Sequence, residues 1–343
     1  MRVLGIETSC DDTSCSVYDT DQGIRSVVLS SQEVFHQKYG GIVPEIASRK
    51  HLEVLPWVAE HALLEAQTQW DELDLIAVTH GPGLVGSLLV GVDYAKTLSM
   101  GLGRPIVAVN HLEGHLLSPM MDHSDIAFPF LGIIVSGGHT EYILVKAIGR
   151  YEKVAETVDD ACGEALDKFG KLLGIPYPAG PLIEKKAQEG SKNAYAFPLP
   201  KVKKSTFALS FSGLKTSAML LLKSLGSDQT SLEVAHLCAS YQHALFHQLL
   251  VVAKRVLHQY PVKAVTLSGG VAANQTLRDL FQSSLPVPCF FPGRKWCTDN
   301  AGMIAFTGYH QYRLRGADAL TFPVVSRLSI SSIHNSKNSE VGI

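Results

Sequence analysis

The chain has 343 residues, more than the ~250–300 at which a single hydrophobic core stops growing, so two domains are expected. Apolar residues make up 46% and charged residues 18%, which excludes a disordered, collagen-like or disulfide-scaffold chain. Lys plus Arg total 30 against 32 Asp plus Glu, a net charge of −2. That excludes a protein gripping nucleic acid over its whole surface and leaves local patches or a partner's surface for any such contact.

In chain order, short apolar runs at 3–6, 15–18 and 24–29 predict three strands joined by polar turns, the first turn being Glu7-Thr8-Ser9-Cys10-Asp11-Asp12-Thr13. Residues 44–67 carry Ile46, Leu52, Leu55, Val58, Leu63 and Leu64 at helical spacing. A buried strand at 73–78 is broken by Gly81-Pro82-Gly83. A small-residue helix follows over 84–100, then a strand at 106–109 and a helix over 111–120. The pattern restarts with strands at 130–135 and 142–145 around Ser136-Gly137-Gly138-His139-Thr140. Helices are predicted over 161–173, 212–223 and 232–259. A strand at 264–268, a Gly269-Gly270 break, a helix over 273–283, a strand at 289–291 and a helix over 299–313 complete the chain. Both halves open strand–turn–strand and then alternate helices with strands, so a duplicated α/β unit is expected. The Ser- and Asn-rich tail, 331–343, is expected to be loose.

Six cysteines form no C-x-x-C pair, so neither a zinc ribbon nor a disulfide framework is expected. The first apolar run leads straight into the first turn, so no signal peptide is expected. No apolar stretch approaches ~20 residues, so no membrane span is expected either, and the reading is a cytoplasmic chain with reduced thiols.

His111 and His115 are four residues apart on a helix that begins right after a strand, so both imidazoles share one face and can reach one ion. His243 and His247 have the same spacing but lie in a long helix among leucines, with no special turn or acid nearby. They read as helix surface or interface. Glu113 stands at +2 from His111, not at +1 or +3 as in zinc peptidases. It points about 200° away from the shared face, which removes the general base of a peptidase. Asp299, at a helix start, is a candidate third ligand whose ordinary reading is a helix N-cap; spacing does not choose it over other acids. Two His and one Asp suit Fe(II), and Zn(II) also fits.

Ser136–Thr140 and the 268–274 segment, Ser-Gly-Gly-Val-Ala-Ala-Asn, are glycine turns that let backbone N–H groups approach an anion or open a helix toward a nucleotide. A plain hairpin and tight strand–helix packing are the ordinary alternatives. No G-x-x-x-x-G-K-[ST] or G-x-G-x-x-G occurs. Asp11 and Asp12 are turn acids, and Asp167 lies mid-helix facing either ribose or solvent. The 176–181 segment, Pro-Tyr-Pro-Ala-Gly-Pro, reads as a rigid turn. Basic residues gather at Lys185, Lys186, Lys201, Lys203, Lys204, Lys215, Arg294 and Lys295, as a solvated face or a polyanion patch.

Together the segments 5–13, 40–45, 81–84, 111–115, 136–140, 210–216, 269–274 and 297–300 resemble, in order, the tRNA N6-adenosine threonylcarbamoyltransferase family, formerly called O-sialoglycoprotein endopeptidases, and its bacterial form in length. The resemblance implies an actin/Hsp70/sugar-kinase (ASKHA) fold of two RNase H-like lobes around a central cleft. The expected lobes are 1–110 plus 305–330, and 111–304. It implies transfer of threonylcarbamoyl from threonylcarbamoyl-AMP to N6 of adenosine 37, in tRNAs reading codons that begin with adenine, with release of AMP. His111, His115 and Asp299 match the family's metal ligands for one divalent ion, Fe(II) favoured and Zn(II) the alternative. Ile134, Val135, Ser136, Gly137, Gly138, Asp167, Gly180, Glu184 and Asn274 match positions that hold the adenylate, and Asp11 matches an acid needed for activity. The implied partners are a paralogous ASKHA-lobe protein and a P-loop ATPase in a heteromeric complex, with no membrane. The chain departs from the family pattern at Ala179, Leu199, Ala208 and Leu209. The alternatives are an ATPase or kinase of the same fold and a non-catalytic lobe of a tRNA-modification complex.

Overall fold

The computed structural model describes residues 1–198 and 207–331. Leu199, Lys201, Lys203, Lys204 and all of the expected tail except Ser331 lie outside the described residues. The described residues form two compact units. Those of Met1–Asp125, Ala147–Tyr151 and Pro292–Ile343 make the first, and those of Ile126–Lys146 and Glu152–Phe291 the second. Residues 111–125 and 292–304 therefore group with the first unit, not with the second as the expected boundaries had it.

The first unit opens with β1 (Arg2–Glu7), β2 (Asp12–Asp19) and β3 (Gly23–Ser31), an antiparallel meander. A short α1 (Glu33–Gln37), which the sequence reading lacks, precedes α2 (Pro44–Glu65). Pro44 sits at the start of α2, where its missing N–H costs nothing. The buried stripe of α2 is Ala47, His51, Leu55, Val58, Ala59, Ala62 and Leu63. Leu52 and Leu64, expected inside, are 69% and 73% exposed. Next come β4 (Leu75–Gly81), α3 (Val85–Leu102), β5 (Ile106–Asn110) and α4 (His111–Leu117). β4 runs parallel to β1 and β5 parallel to β4, giving the order β3-β2-β1-β4-β5. Leu4, Ile6, Val17, Leu55, Val58, Ile76, Val78 and Val92 pack into one core, and Val3, Leu75, Ala77, Val107 and Val109 into another. Each fully buried aliphatic side chain contributes roughly 1.5–3 kcal/mol.

The second unit repeats the plan. It comprises β6 (Phe130–Val135), β7 (Thr140–Ala147), β8 (Arg150–Glu156), α5 (Cys162–Leu172), α6 (Ala179–Ala187), α7 (Ser212–Gln259), β9 (Ala264–Ser268), α8 (Gln275–Ser284) and β10 (Cys289–Phe290), with Ala147, Arg150 and Tyr151 at the β7–β8 turn grouping with the first unit. Read from β8, its order β8-β7-β6-β9-β10 matches the first sheet strand for strand, with β9 parallel to β6 and β10 parallel to β9. The expected duplication is therefore present in topology although the residues do not repeat.

β8 and α6 are absent from the sequence reading. β8 is an edge strand whose Arg150, Glu152, Lys153 and Glu156 mask its alternation. The expected rigid turn at 176–181 instead feeds α6 from Pro178. The two expected helices at 212–223 and 232–259 are both present within α7, separated by a kink at Gly226, whose φ of 75° is left-handed. No helix among the described residues is long and apolar enough to cross a membrane.

The chain then returns to the first unit as α9 (Ala301–Arg315), which packs on β1, β2, β4 and β5. Glycines permit this. A Cβ on Gly5 would stand 2.3 Å from the Ala301 carbonyl oxygen, and one on Gly308 would stand 2.3 Å from the Ala77 Cβ. Gly5→Ala must push α9 off the sheet, because the obstacle is backbone. The expected cost is about 1–3 kcal/mol, read as a lower urea midpoint; an unchanged midpoint would refute this close seating.

Candidate functional site

In the first unit, the parallel strands β1, β4 and β5 end at one edge of the sheet, the edge at which α/β proteins place ligands. Asn110 closes β5, and its Oδ1 accepts from the N–H groups of Leu112 (2.8 Å) and Glu113 (3.3 Å). That cap starts α4 directly at His111. His111 and His115 then lie on successive turns, both buried, with ring centroids 4.7 Å apart.

Asp299 arrives from the other end of the chain. Its Oδ1 lies 2.9 Å from His115 Nε2 and 3.5 Å from His111 Nε2. Three donors at ~2.1 Å from one ion stand roughly 3.0–3.4 Å apart, so the spacing fits a shared cation. This is the one group of three such side chains among the described residues whose ligand atoms all lie within 4.8 Å of one another. The ordinary reading of Asp299 as the helix N-cap is corrected: Asn300 caps α9, accepting from the Met303 N–H at 3.0 Å.

Glu113 points away from this face, as its spacing requires. Its Oε1 accepts from Tyr151 Oη at 2.6 Å and from Gln311 Nε2 at 2.5 Å. Burial pushes its carboxyl up to about 7, against those two hydrogen bonds and Arg315.

Behind His111 lies Glu7, which the sequence reading passed over. Glu7 Oε2 is 2.9 Å from His111 Nδ1 and accepts from Thr79 Oγ1 at 2.7 Å; Glu7 Oε1 accepts from the Ser9 N–H at 2.5 Å. Ser9 Oγ lies 3.2 Å from the same His111 nitrogen. The available signal was a carboxylate ending an otherwise apolar strand. Burial alone would raise Glu7, but His111 beside it holds it below the usual carboxylate range. Burial alone would lower His111, and the carboxylates of Asp299 and Glu7 outweigh it and raise it.

Asp11 stands in the β1–β2 turn, half-buried. Burial raises its carboxyl, and the charge of Asp299 adds to the rise. His51 of α2 braces this turn, with Nε2 3.0 Å from the Cys10 carbonyl and Nδ1 2.7 Å from Thr13 Oγ1. Asp12 is pushed up to about 7, chiefly by burial, then by Asp11, Asp299 and Glu7 against a hydrogen bond from Ser31.

The remaining expected residues lie in the second unit. Ile134 pairs with Ser268 across β6 and β9, so the turns after both strands leave one sheet edge. In Ser136–Thr140 the Ser136 N–H donates to the His139 carbonyl at 2.9 Å, and the His139 N–H donates to Ser136 Oγ at 3.1 Å. The hairpin leaves Gly137 and Gly138 exposed, while Val135 is buried. α5 abuts this turn: a Cβ on Gly163 would meet the Ser136 carbonyl oxygen at 2.8 Å. Gly269, at φ 90°, passes the Val135 carbonyl so closely that a Cβ would stand 2.5 Å from it.

Asp167, half-buried, accepts from the Ala179 N–H at 2.8 Å beside Gly180. Glu184 accepts from the Gln275 N–H at 2.7 Å. Asn274 caps α8 at Leu277 and donates to Gln242 Oε1 at 2.8 Å. Asp167 and Gly180 thus meet at the start of α6, and Glu184 and Asn274 at the start of α8.

Leu209 is a core residue at 0% exposure, and the Ala179 methyl packs against Gly170. Near the 210–216 motif, Asp159 accepts from Ser210 Oγ, the Phe211 N–H and Ser212 Oγ at 2.5–2.7 Å, a hub the sequence reading did not find. His243 and His247 stand 6.0 Å apart, ring to ring, along a cavity of about 300 Å³ that Lys192 also lines. A neighbouring ammonium disfavours a cation there.

Residues 23–306 match the family profile described as TsaD: tRNA N6-adenosine threonylcarbamoyltransferase. The chain is 40% identical to the Neisseria gonorrhoeae protein named tRNA N6-adenosine threonylcarbamoyltransferase, over 97% of this chain and 99% of that one. It is 44% identical to the protein of the same name from Dictyoglomus turgidum, over 91% and 94%. Among solved structures, HypF of T. kodakarensis aligns with a TM-score of 0.63 at 16% identity, over 92% of this chain and 48% of that one. The (R)-2-hydroxyglutaryl-CoA dehydratase component A of Acidaminococcus fermentans aligns at 0.55 and 14%, over 91% and 99%. These structures share the ASKHA-type fold of two α/β units.

Asp12 binds its proton more tightly folded than unfolded, between its ordinary value of 3.8 and about 7. Its contribution to stability is therefore full below the lower value and falls as pH rises through that window. Asp12→Asn removes the titration and should gain about 1–2 kcal/mol on wild type between pH 5 and pH 8 in urea unfolding. Parallel pH profiles of the two proteins would contradict the assignment.

Proposed function

Because the chain belongs to the tRNA N6-adenosine threonylcarbamoyltransferase family, a family of transferases that form t6A in tRNA, we propose that it moves the threonylcarbamoyl group from threonylcarbamoyl-AMP to N6 of adenosine 37. The tRNAs are those reading codons that begin with adenine. The observation that carries the finer reading is the convergence of His111, His115 and Asp299 at the strand ends of the first unit. These two imidazoles and one carboxylate would hold one divalent ion, Fe(II) in preference to Zn(II). Such an ion supplies Lewis acidity and a template for the carbamoyl oxygens.

The adenylate is a mixed anhydride, so its AMP leaves readily. The N6 nitrogen attacks the carbamoyl carbon, the bond from that carbon to the phosphate oxygen breaks, and AMP departs with the electron pair. The amine proton must leave, and Asp11, whose raised carboxyl is a stronger base than an ordinary aspartate, would accept it. The exocyclic amine is a weak nucleophile, so positioning carries much of the rate. Ile134, Val135, Ser136, Gly137 and Gly138, with Asp167, Gly180, Glu184 and Asn274, would hold the adenylate. In that set the exposed Gly137–Gly138 turn would offer backbone N–H groups to the phosphate. tRNA would be bound jointly with a paralogous ASKHA-lobe protein and a P-loop ATPase in a cytoplasmic complex. The near-neutral net charge supports shared binding.

The test is transfer in a reconstituted mixture of the chain, both partners, an adenylate-forming enzyme, ATP, bicarbonate, labelled threonine and tRNA, read by mass analysis of digested nucleosides. Wild type should yield threonylcarbamoyl-adenosine. His115→Ala and Asp299→Ala should lose at least about 100-fold in rate and should bind less Fe(II). Full transfer by Asp299→Ala would remove the metal from the mechanism. ATP turnover without modified tRNA would favour an ATPase or kinase.

A further inference from the structure

Glu7 is fully buried, carries a charge, and takes no part in the steps above. Its polar contacts are with donors and with an imidazole. The Ser9 N–H reaches Oε1 at 2.5 Å, and Thr79 Oγ1 reaches Oε2 at 2.7 Å. His111 Nδ1 faces the same Oε2 at 2.9 Å. A carboxylate only accepts, so His111 Nδ1 must carry the hydrogen it shares with Glu7. The lone pair of a neutral His111 ring is then at Nε2, the nitrogen that faces Asp299 at 3.5 Å.

We propose that Glu7 is the positioning residue of His111: it fixes the ring's tautomer and orientation so that Nε2 is presented as a metal ligand beside His115 and Asp299. This rests on the metal reading above. It assigns Glu7 no contact with the ion or with substrate. Residues that hold a ligand's other ring nitrogen typically alter metal affinity about 10- to 100-fold when changed.

An alternative use of Glu7 is purely structural, tying β1 to β4 through Thr79. Glu7→Gln separates the two, because the Ser9 backbone N–H can only donate. The variant's amide carbonyl must face that N–H, which turns its NH2 toward His111 Nδ1 and Thr79. Thr79 Oγ1 can accept from an NH2, so the strand tie survives. His111 Nδ1 must now accept, so the ring hydrogen moves to Nε2 and blocks the ligand lone pair.

The experiment titrates Co(II) into metal-stripped full-length chain and follows the visible ligand-field bands, with circular dichroism and the thermal midpoint as checks of folding. Wild type is expected to bind one Co(II), and Glu7→Gln to bind it about 10- to 100-fold more weakly with altered bands while remaining folded. Thr79→Val removes a neighbour of the same oxygen without inverting the tautomer, and should keep affinity within about threefold of wild type. Equal affinity and spectra for folded Glu7→Gln and wild type would overturn the positioning role alone. Absence of Co(II) binding by wild type would overturn the metal reading and this role with it. If Glu7→Gln does not fold, Glu7→Asp carries the test, since its shortened carboxylate withdraws from His111. Wild-type affinity in that variant would likewise overturn the proposal.

Discussion

The seating of α9 directly on the first sheet is the contact from which the candidate site follows. At Gly5 and Gly308 the absent side chains let α9 approach β1 and β4 more closely than any Cβ would allow. Asn300 caps the helix, and the residue before the cap, Asp299, is delivered to His115 across 184 residues of sequence. The same helix carries Gln311 to Glu113 on the opposite face of α4. α4 is thus held from both sides, its histidines toward one carboxylate and its glutamate inside a cage of hydroxyl and amide donors. Burying Glu113 is costly, and those two donors offset part of the cost.

Both units use one strand order, and in each the parallel strands end at a common edge. What stands at that edge differs. The first unit puts ionisable groups there: Glu7, Asp11, His111 and Asp299. The second puts turns that close on backbone, with Gly163 and Gly269 allowing α5 and β9 to approach the Ser136 turn and β6. A duplicated fold can diverge in this way because the strand ends lie outside the core, where side chains change without repacking the sheet.

Where local chemistry decides structure, the sequence was legible. The strands β1–β7 and β9 follow their apolar runs. α4 starts at His111 because a capping residue and a helix-compatible run coincide there. The His111–His115 pair and the averted Glu113 follow from helical geometry alone. The illegible features depend on distant partners. β8 is polar because one sheet edge suffices to hold it. Leu52 and Leu64 read as core on α2, yet the sheet meets the stripe through Leu55, Val58 and Ala62. Asp299 and Asn300 are equivalent caps on paper, and only the seating of α9 decides between them. Glu7 looked like turn chemistry because Thr79 and His111, which give it meaning, are remote in the chain.

The electrostatics of the first unit bear on what the site is for. Asp11 and Asp12 are both raised, and after burial the groups that raise them are other carboxylates: Asp299 for Asp11, and Asp11, Asp299 and Glu7 for Asp12. Glu7 escapes this chiefly through His111, helped by the hydrogen bond from Ser9. Four acids crowded at one buried edge are a standing destabilisation that folding alone does not require. Polar hub residues such as Asp159 show that this chain can satisfy an acid with neutral donors where it needs only structure. A divalent cation beside Asp299 would offset the mutual repulsion and restore Asp11 toward its ordinary value. The rise at Asp11 comes first from burial and only then from the charge of Asp299, so neutralising Asp299 would lessen its basicity without abolishing it.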